Sequence, residues 1–365
     1  MDQVLIAGGG ITGAFIGYTL ASRGIPARII ARGDDFPIAS HNNTGGINPL
    51  IGPGIPGPMA DFSLRAYQLH RQHWERIQAL SGIDFRPRLV SRVNLAFSAA
   101  EKQALLALQE LYAQAPGFTA QWLSVAELRE REPRISEQVI GGLLTEGNAT
   151  VDSERYTRAV LQAAEALGAS VLRDEVTSWV PAADRVTVQC ASGADHACAQ
   201  LVLATGPWSQ LFAAGASPVK PVKGELLLVE VDGPPFAFDI AIGFDGLNHY
   251  EGKRYWLGGT SEAIGFDVSA ASAELIKQKM SRLIPQAGGF RVLEHRAALR
   301  PATPDGLPIV GRLAERVLLA TGAGAKGMLW SAGMAELCVG LLCHEADEQA
   351  FRHLSPARFD LAERG

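Results

Sequence analysis

The glycine-rich stretch near the start of the chain constrains the fold most. A short apolar run at residues 4–7 leads directly into glycines at 8, 9, 10 and 13, and a helical pattern then continues to residue 22. A second apolar run follows at residues 27–31. Strand, glycine turn, helix and strand in this order predict a βαβ unit.

The spacing of Gly8, Gly10 and Gly13 matches G-x-G-x-x-G. These glycines allow a tight turn, a close approach of the backbone to a pyrophosphate and close packing of the helix on the strand. A glycine-rich turn can also be purely structural, but its place between a strand and a helix favours dinucleotide binding. The positive end of the helix would then face the phosphates.

The end of the second strand departs from this pattern, because Ala31 and Arg32 stand where an acidic residue usually binds the ribose. Asp34 or Asp35 could replace it from the next turn, or both could be solvated loop charges. Arg32 could instead lie beside the adenine or a phosphate.

Composition excludes several classes of function. The chain has 365 residues, a formal net charge of −5 and no run of Lys or Arg, so we expect no nucleic-acid partner. The apolar stretch at 327–343 is shorter than a membrane span and contains Glu336, which predicts a buried helix and no integral membrane segment. The four cysteines show no CxxC pairing or nearby histidine cluster, which indicates a cytoplasmic protein without a metal site.

Helical patterns occupy about 60–81 and 99–114 and recur near 125–131 and 153–167, and strand-like runs include 92–97, 170–180 and 222–231. The order of these predicted elements indicates a mixed α/β fold. We expect a discontinuous Rossmann-like dinucleotide-binding domain formed by residues 1–84, 140–217 and 295–365. An antiparallel-sheet substrate domain, residues 85–139 and 218–294, would be inserted into it. The sequence leaves open whether the protein is a homo-oligomer or a subunit of a heteromeric complex.

The choice of FAD rests on a resemblance carried by five further segments. These are ALSGIDF at 79–85, NLAF at 94–97, ATGPWS at 204–209, PVKGE at 221–225 and LRPATPDGLPIVG at 299–311. Together with the glycine motif they resemble the glycine oxidase branch of the D-amino acid oxidase family of flavoproteins, almost from end to end.

The resemblance implies which residues surround FAD. Val176 would meet the adenine through its backbone, although its position in a strand also fits a simple core residue. The cofactor-binding residues that we expect are Gly8, Gly10, Ile11, Thr12, Gly13, Arg32, Asn43, Thr44, Gly45, Gly46, Ile47, Asn48, Val176, Ala204, Thr205, Gly206, Trp208, Gly324, Lys326, Gly327, Met328 and Leu329.

Three residues are candidates for the reaction itself. Arg300, between an apolar strand and a proline turn, would clamp a substrate carboxylate, with a structural ion pair as the alternative. Tyr250 approximates the family's pocket tyrosine, with His249 as its competitor and interdomain packing as the alternative. Lys326 departs from the glycine oxidase pattern, and Ala325 replaces the expected arginine, so glycine is not fixed as the substrate.

His41 raises the question of covalent flavin attachment, since some amine dehydrogenases of the superfamily use a histidine in the corresponding loop. A loop histidine hydrogen-bonded to cofactor or backbone is the commoner arrangement, and we expect FAD to be noncovalent.

The expected reaction is hydride transfer to flavin N5 from the carbon beside the nitrogen of a small amine or amino acid. The resulting imine would be hydrolysed, and O2 or another acceptor would reoxidise the flavin. Three alternatives remain: a dehydrogenase that passes electrons to a quinone or partner subunit, an enzyme for 2-hydroxy acids, and a noncatalytic flavin-binding subunit.

Overall fold

The computed structural model describes residues 4–33, 38–211, 218–243 and 245–359. The helices are α1 Ile11–Ser22, α2 Ala60–Ser81, α3 Ala99–Gln114, α4 Val125–Arg131, α5 Ser153–Ala166, α6 Ala273–Ser281 and α7 Gly327–Leu342. The strands are β1 Val4–Ala7, β2 Ala27–Ala31, β3 Gly46–Ile47, β4 Arg88–Ala96, β5 Thr119–Leu123, β6 Gly141–Thr150, β7 Ser170–Arg173, β8 Val176–Pro181, β9 Val186–Cys190, β10 Asp195–Cys198, β11 Gln200–Leu203, β12 Lys220–Glu230, β13 Asp239–Ile242, β14 Asp245–Glu251, β15 Arg254–Gly258, β16 Arg291–Ala302, β17 Ile309–Ala314 and β18 Val317–Thr321.

A six-stranded sheet contains the N-terminal βαβ unit. Its strand order is β17-β18-β11-β1-β2-β7, and every pair is parallel except β17 with β18. All four residues of β1 are buried, as expected for a central parallel strand covered on both faces. Helices α1, α5 and α7 pack into the main hydrophobic core on one side, and the three-stranded sheet β10-β9-β8 contributes to a core on the other side.

The second large sheet is mostly antiparallel and has two different faces. Its main path has the order β16-β12-β15-β14-β13-β4-β6-β3. Val93, Leu227 and Leu257 lie on one face and form a core with residues of α4 and α6. Because alternate residues of a strand point to opposite faces, Arg92 and Arg300 lie on the other, more polar face. This polar face contributes to the site described below.

Several predicted elements agree closely with the structure. Helices predicted at 60–81, 99–114 and 125–131 have those bounds in the structure, and the helix predicted at 153–167 ends one residue earlier. The predicted strand at 170–180 is two strands, β7 and β8, interrupted at Asp174 and Glu175.

The proposed domain boundaries stay a prediction. Strand β6, which falls in a segment assigned to the FAD-binding domain, pairs with β4 in the nine-stranded sheet. Strand β16 crosses the expected boundary at residue 295. The second sheet therefore contains strands from the segments predicted for the cofactor-binding domain as well as strands from the segments predicted for the substrate domain.

Among the helices of the described residues, none combines the length and the apolar character that crossing a bilayer requires. Helix α7 has 16 residues and is buried along most of its length.

A buried histidine joins three helices of the main core. His70 of α2 has no exposed surface, and its ring nitrogens lie 2.8 Å from the Tyr156 hydroxyl and 2.9 Å from the Leu329 carbonyl oxygen. The carbonyl can only accept, so Nε2 donates to it and Nδ1 of the neutral ring accepts from Tyr156. Burial lowers the pKa of His70 to about 4.

We expect His70→Ala to lower the free energy of unfolding of the apoprotein by about 2–4 kcal/mol, because it creates a cavity and leaves two buried polar groups unpaired. Between pH 6.5 and pH 4 the unfolded chain holds more protons at this residue, so wild-type stability falls as pH falls through that window. His70→Ala has no histidine at this position, so its free energy of unfolding should not show this dependence on pH. Urea unfolding between pH 4.5 and 8 tests both effects, and Gln72→Ala, exposed on the same helix, is the control. Equal stability of His70→Ala and Gln72→Ala would contradict this assignment.

Candidate functional site

A long cleft lies between the two large sheets, and two helices begin at its wall. Helix α1 begins after Gly10 and helix α7 begins after Lys326; neither is capped by the side chain of the residue that precedes it, and neither has an acidic residue in its first turn. Gly10, Ile11, Gly327 and Met328 all line the cleft. The positive ends of both helices therefore contribute to one cavity, which suits an anionic ligand.

Glycine is required where α1 approaches the sheet. Gly8 has a φ of +117°, and a Cβ at this position would collide with the carbonyl oxygen of Ala204 at the end of β11. A Cβ on Gly13 would collide in turn with the carbonyl oxygen of Gly8. These two contacts set the N-terminus of α1 directly against the ends of β1 and β11.

On the side of α7, the wall of the cleft includes glycine residues, whose backbone no side chain covers. A Cβ at Gly206 or at Gly324 would meet no described atom within 4 Å, and both residues line the cleft. The space that side chains would fill is thus open to a ligand. An elongated cleft with glycine backbone and two helix N-termini that lack acidic residues fits the pyrophosphate and flat ring of FAD.

Most of the predicted cofactor residues lie in this cleft. Those that line it are Gly8, Gly10, Ile11, Thr12, Arg32, Asn43, Thr44, Gly46, Val176, Ala204, Thr205, Gly206, Trp208, Gly324, Gly327 and Met328. Six others are not among the residues that line it: Gly13, Gly45, Ile47, Asn48, Lys326 and Leu329. Ile47 and Leu329 are fully buried in the core, so any effect on the cofactor would be indirect. The cofactor roles of all these residues stay predictions.

The loop that precedes β3 is held by its own polar groups. The Asn43 side chain accepts a hydrogen bond from the Gly45 N–H at 2.7 Å and donates to the Ala39 carbonyl at 2.9 Å. Ser153, at the start of α5, donates to the carbonyl oxygens of Asn43 and His41. His41 lines the cleft, and covalent attachment through it stays an open question.

Sequence reasoning missed Ser40, which contributes a contact to the start of α1. Its hydroxyl accepts a hydrogen bond from the Ile11 N–H at 3.0 Å. No local pattern indicates this contact, because the two residues are 29 positions apart. The polar composition of the loop was the only available signal.

Charged and aromatic side chains line the end of the cleft beside β2. The guanidinium of Arg32 lies 2.8 Å from a carboxylate oxygen of Glu175 and 4.7 Å from the centre of the Trp208 ring. Phe266 stacks against Trp208 with 6.0 Å between ring centres. Asp34 and Asp35, the two alternatives for ribose binding, lie outside the described residues.

Arg300 brings a cation into the cleft from β16. Its Nη1 donates to the Thr260 carbonyl at 2.9 Å, and the guanidinium lies over Gly224, where a Cβ would collide with it. Burial lowers the pKa of Arg300, and the charge of Asp245 partly opposes this. Among the described residues, no carboxylate lies within ion-pairing distance of Arg300. An arginine remains charged under these conditions, so it can bind a carboxylate of a ligand.

Lys326 lies beside the cleft, at the residue before α7. Its Nζ donates to the Asn48 carbonyl at 3.2 Å, and its side chain covers Gly52. Burial lowers the pKa of Lys326 to about 7, and the charge of Arg92 acts in the same direction. The Asn48 side-chain oxygen is buried and has no hydrogen-bond partner among the described residues.

Tyr250 lies in a second, smaller pocket together with Trp256 and Arg296, and it does not line the cleft that contains Arg300. Its hydroxyl donates to Asp152 at 3.0 Å. Burial raises the pKa of Tyr250, and Asp152 adds to this effect. Its competitor, His249, contacts the Gly252 carbonyl at the adjacent turn. The structure does not bring the Tyr250 side chain into the cleft that contains Arg300. A substrate-binding role for Tyr250 therefore stays a prediction.

Comparison with known proteins agrees with this geometry. The chain is 28% identical over 371 residues to the bifunctional protein ThiO/ThiG of Trichormus variabilis. The matched region covers 98% of this chain but only 55% of that relative. The chain therefore spans about half the length of this relative. It is 25% identical to the glycine oxidase of Bacillus subtilis, over 96% of this chain and 95% of the relative.

A solved structure shows the same fold. The crystal structure of glycine oxidase from Geobacillus kaustophilus matches with a TM-score of 0.87 and 24% identity, covering 95% of this chain and 96% of that one. This likeness confirms the mixed α/β fold with a Rossmann-like domain. The family model described as DAO, FAD dependent oxidoreductase, matches residues 3–341. Because that match covers nearly the whole chain, the protein belongs to the DAO family of FAD-dependent oxidoreductases.

Proposed function

We propose that the chain oxidises a small amino acid or amine that carries a carboxylate. The observation that carries this proposal is Arg300, a desolvated guanidinium in the cofactor cleft with no carboxylate of the described chain within ion-pairing distance. Bound FAD would supply the redox chemistry by accepting a hydride from the carbon beside the substrate nitrogen. The names of the glycine oxidase relatives support a substrate of this class.

Arg300 would orient the substrate through its carboxylate. The Thr260 carbonyl holds Nη1, and the absence of a side chain at Gly224 leaves room for the planar guanidinium. A bidentate pair of hydrogen bonds fixes the direction of a carboxylate as well as its position. This places the substrate carbon in one orientation, which is the main requirement for a hydride donor.

Lys326 would handle the substrate proton. Amino acids reach the site mainly as ammonium ions, and the neutral amine is the better hydride donor. With a pKa of about 7, Lys326 is neutral in part of the molecules at physiological pH and can accept that proton. Its neighbours Ala325 and Gly327 line the cleft, whereas its own Nζ donates to the Asn48 carbonyl, so this role requires the side chain to turn toward the cleft.

The electron acceptor and the location of the protein belong to the same proposal. O2 or another acceptor would reoxidise the cofactor, in a homo-oligomer or a heteromeric complex. We propose a cytoplasmic location because Cys190, Cys198, Cys338 and Cys343 are all free thiols.

Anaerobic mixing with candidate substrates tests the proposed reaction. We expect the absorbance of the oxidised flavin to be bleached by at least one carboxylate-bearing amine from a panel of D- and L-amino acids, N-methyl amino acids and opines. Oxygen consumption and dye reduction then distinguish an oxidase from a dehydrogenase. Bleaching by 2-hydroxy acids alone, or by no compound, would contradict the proposal.

We expect Arg300→Ala to lower kcat/KM for carboxylate substrates by about 10- to 150-fold, the value of losing charge-assisted hydrogen bonds. Flavin content should remain unchanged, and the matched amine without a carboxylate should lose little. Arg296→Ala, on the same strand but in the second pocket, is the control. Equal losses for both kinds of substrate would remove Arg300 from carboxylate binding.

Burial disfavours the charged form of Lys326, so we expect Lys326→Met to stabilise the apoprotein at pH 7 by about 1–3 kcal/mol. This range is smaller than the full change in pKa would give, because the side chain is partly exposed to solvent. Between pH 7 and 10.5 the unfolded wild-type chain holds more protons at Lys326, so wild-type stability rises with pH. The difference between variant and wild type should therefore shrink toward pH 10. Denaturant midpoints across this range measure it, with the exposed Lys253→Met as control. A difference that is independent of pH would refute the lowered pKa.

A further inference from the structure

The ribose-binding position at the end of β2 is not acidic in this chain. Ala31 occupies it and lines the cleft, and its methyl group packs so closely against Gly9 that a Cβ there would collide with it. The hydroxyl groups of an adenosine ribose require a strong hydrogen-bond acceptor at this place, and alanine offers none. Another residue must therefore accept these hydrogen bonds if FAD is held in the usual orientation.

Strand β7 brings acidic residues to the same edge of the sheet. It pairs in parallel with β2, with Ala31 opposite Arg173, and the Asp174 N–H donates to the Ala31 carbonyl at 3.0 Å. Parallel strands end at the same edge, so Asp174 and Glu175 emerge beside the position that lacks an acid. Both residues line the cleft.

The two carboxylates have different partners. Asp174 accepts hydrogen bonds from the Ser192 hydroxyl, from the Ser192 N–H at 3.3 Å and from the Glu175 N–H at 2.8 Å. The hydrogen bond from the Ser192 side chain and these backbone donors lower the pKa of Asp174. Its carboxylate therefore serves mainly to hold the adjacent turn.

Glu175 instead forms its ion pair inside the cleft. One of its carboxylate oxygens lies 2.8 Å from Arg32 Nη2, and the side chain is 40% exposed. Trp208 stacks on the guanidinium of Arg32 and limits its movement. An ionised carboxylate can accept about four hydrogen bonds, so this ion pair leaves capacity for two hydroxyl donors.

The next residue along the chain supports the same orientation of the ligand. Val176 begins β8 and lines the cleft immediately after Glu175. If the backbone of Val176 meets the adenine, Glu175 is the adjacent cleft-lining residue, and the ribose is the part of FAD that is attached to that adenine.

We propose that Glu175, oriented by Arg32, binds the adenosine ribose hydroxyls of FAD in place of the acidic residue that β2 lacks. This assignment concerns cofactor binding alone and is independent of the substrate of the enzyme.

Titration of the apoprotein with FAD, followed by flavin fluorescence, tests the assignment. We expect Glu175→Gln to raise the dissociation constant of FAD by about 10- to 100-fold, the effect of losing hydrogen bonds to a charged acceptor. FMN has no adenosine, so its dissociation constant should be the same for variant and wild type. Glu165→Gln is the control, because it neutralises an exposed carboxylate of α5 that does not line the cleft; it should change FAD binding by less than about 3-fold.

An FAD analogue without the adenosine 2′-hydroxyl sharpens the test. It should bind the wild type more weakly than FAD does, and this difference should be smaller for Glu175→Gln, because an amide oxygen is a weaker acceptor than a carboxylate. Arg32→Ala should weaken FAD binding in the same direction, because Glu175 loses its orienting partner. Unchanged FAD binding by Glu175→Gln, an equal loss for FMN, or an analogue effect of undiminished size in the variant would overturn the proposal. So would a loss of the analogue effect in Asp34→Asn or Asp35→Asn instead.

Discussion

The close approach of α1 to the parallel sheet is the constraint on which the site depends. Gly13 packs on the carbonyl of Gly8, and Gly8 packs on the carbonyl of Ala204. The helix end is thereby held at the carboxyl edge of the sheet, between β1 and β11. Strand β18 lies next to β11, so the helix that follows it, α7, begins at the same edge. The order of strands thus brings two positive helix ends to one cleft.

Buried charged residues of the second sheet differ in whether they have an oppositely charged partner. This difference distinguishes residues that stabilise the fold from residues that are available to a ligand. Lys223 and Glu225 of β12 are almost fully buried, but they lie 2.8 Å apart, and His295 contacts the same carboxylate at 2.7 Å. Although burial raises the pKa of Glu225, the hydrogen bond from Lys223 and its other donors outweigh this and lower the pKa to about 2. The same sheet leaves Arg300 without such a partner among the described residues. An unpaired desolvated cation reduces stability, which favours a functional explanation for it.

The sequence predicted those helices whose ends are set by residues close to them in the chain. Helices α3 and α4 begin after Ser98 and Ser124, whose hydroxyls cap the first turn, and their predicted bounds were correct. Strand β6 was not predicted, and of β16 only the apolar stretch just before Arg300 was recognised. β6 contains three glycines and the first half of β16 contains alternating charges, so neither resembles a continuous apolar strand. Their partners, β4 and β12, lie far away in sequence, and only the folded sheet shows the pairing.

The candidate site shows the same limit. The glycine motif and Arg300 were predicted from local context, and the structure places them in one cleft. Tyr250 was placed by its neighbours in sequence, but β14 has an irregular register between His249 and Glu251, and the side chain lies in the second pocket. Glu175 was not predicted at all, because the acid expected at the end of β2 is carried by the segment after β7, which is about 140 residues later in the chain. A displaced residue of this kind can be recognised only when the neighbouring strands are known.

One segment connects the two ends of the cleft. Thr260 holds Arg300 through its carbonyl, and Phe266, six residues later, stacks on Trp208 beside Arg32. Glu225 fixes the first part of this segment by accepting a hydrogen bond at its backbone carbonyl from the Thr260 N–H, and its carboxylate accepts from the N–H groups of Ala271 and Ser272. Glu225 thus anchors both ends of the segment, one through its backbone and the other through its carboxylate. The position of Arg300 and the wall beside Arg32 therefore depend on the same length of backbone.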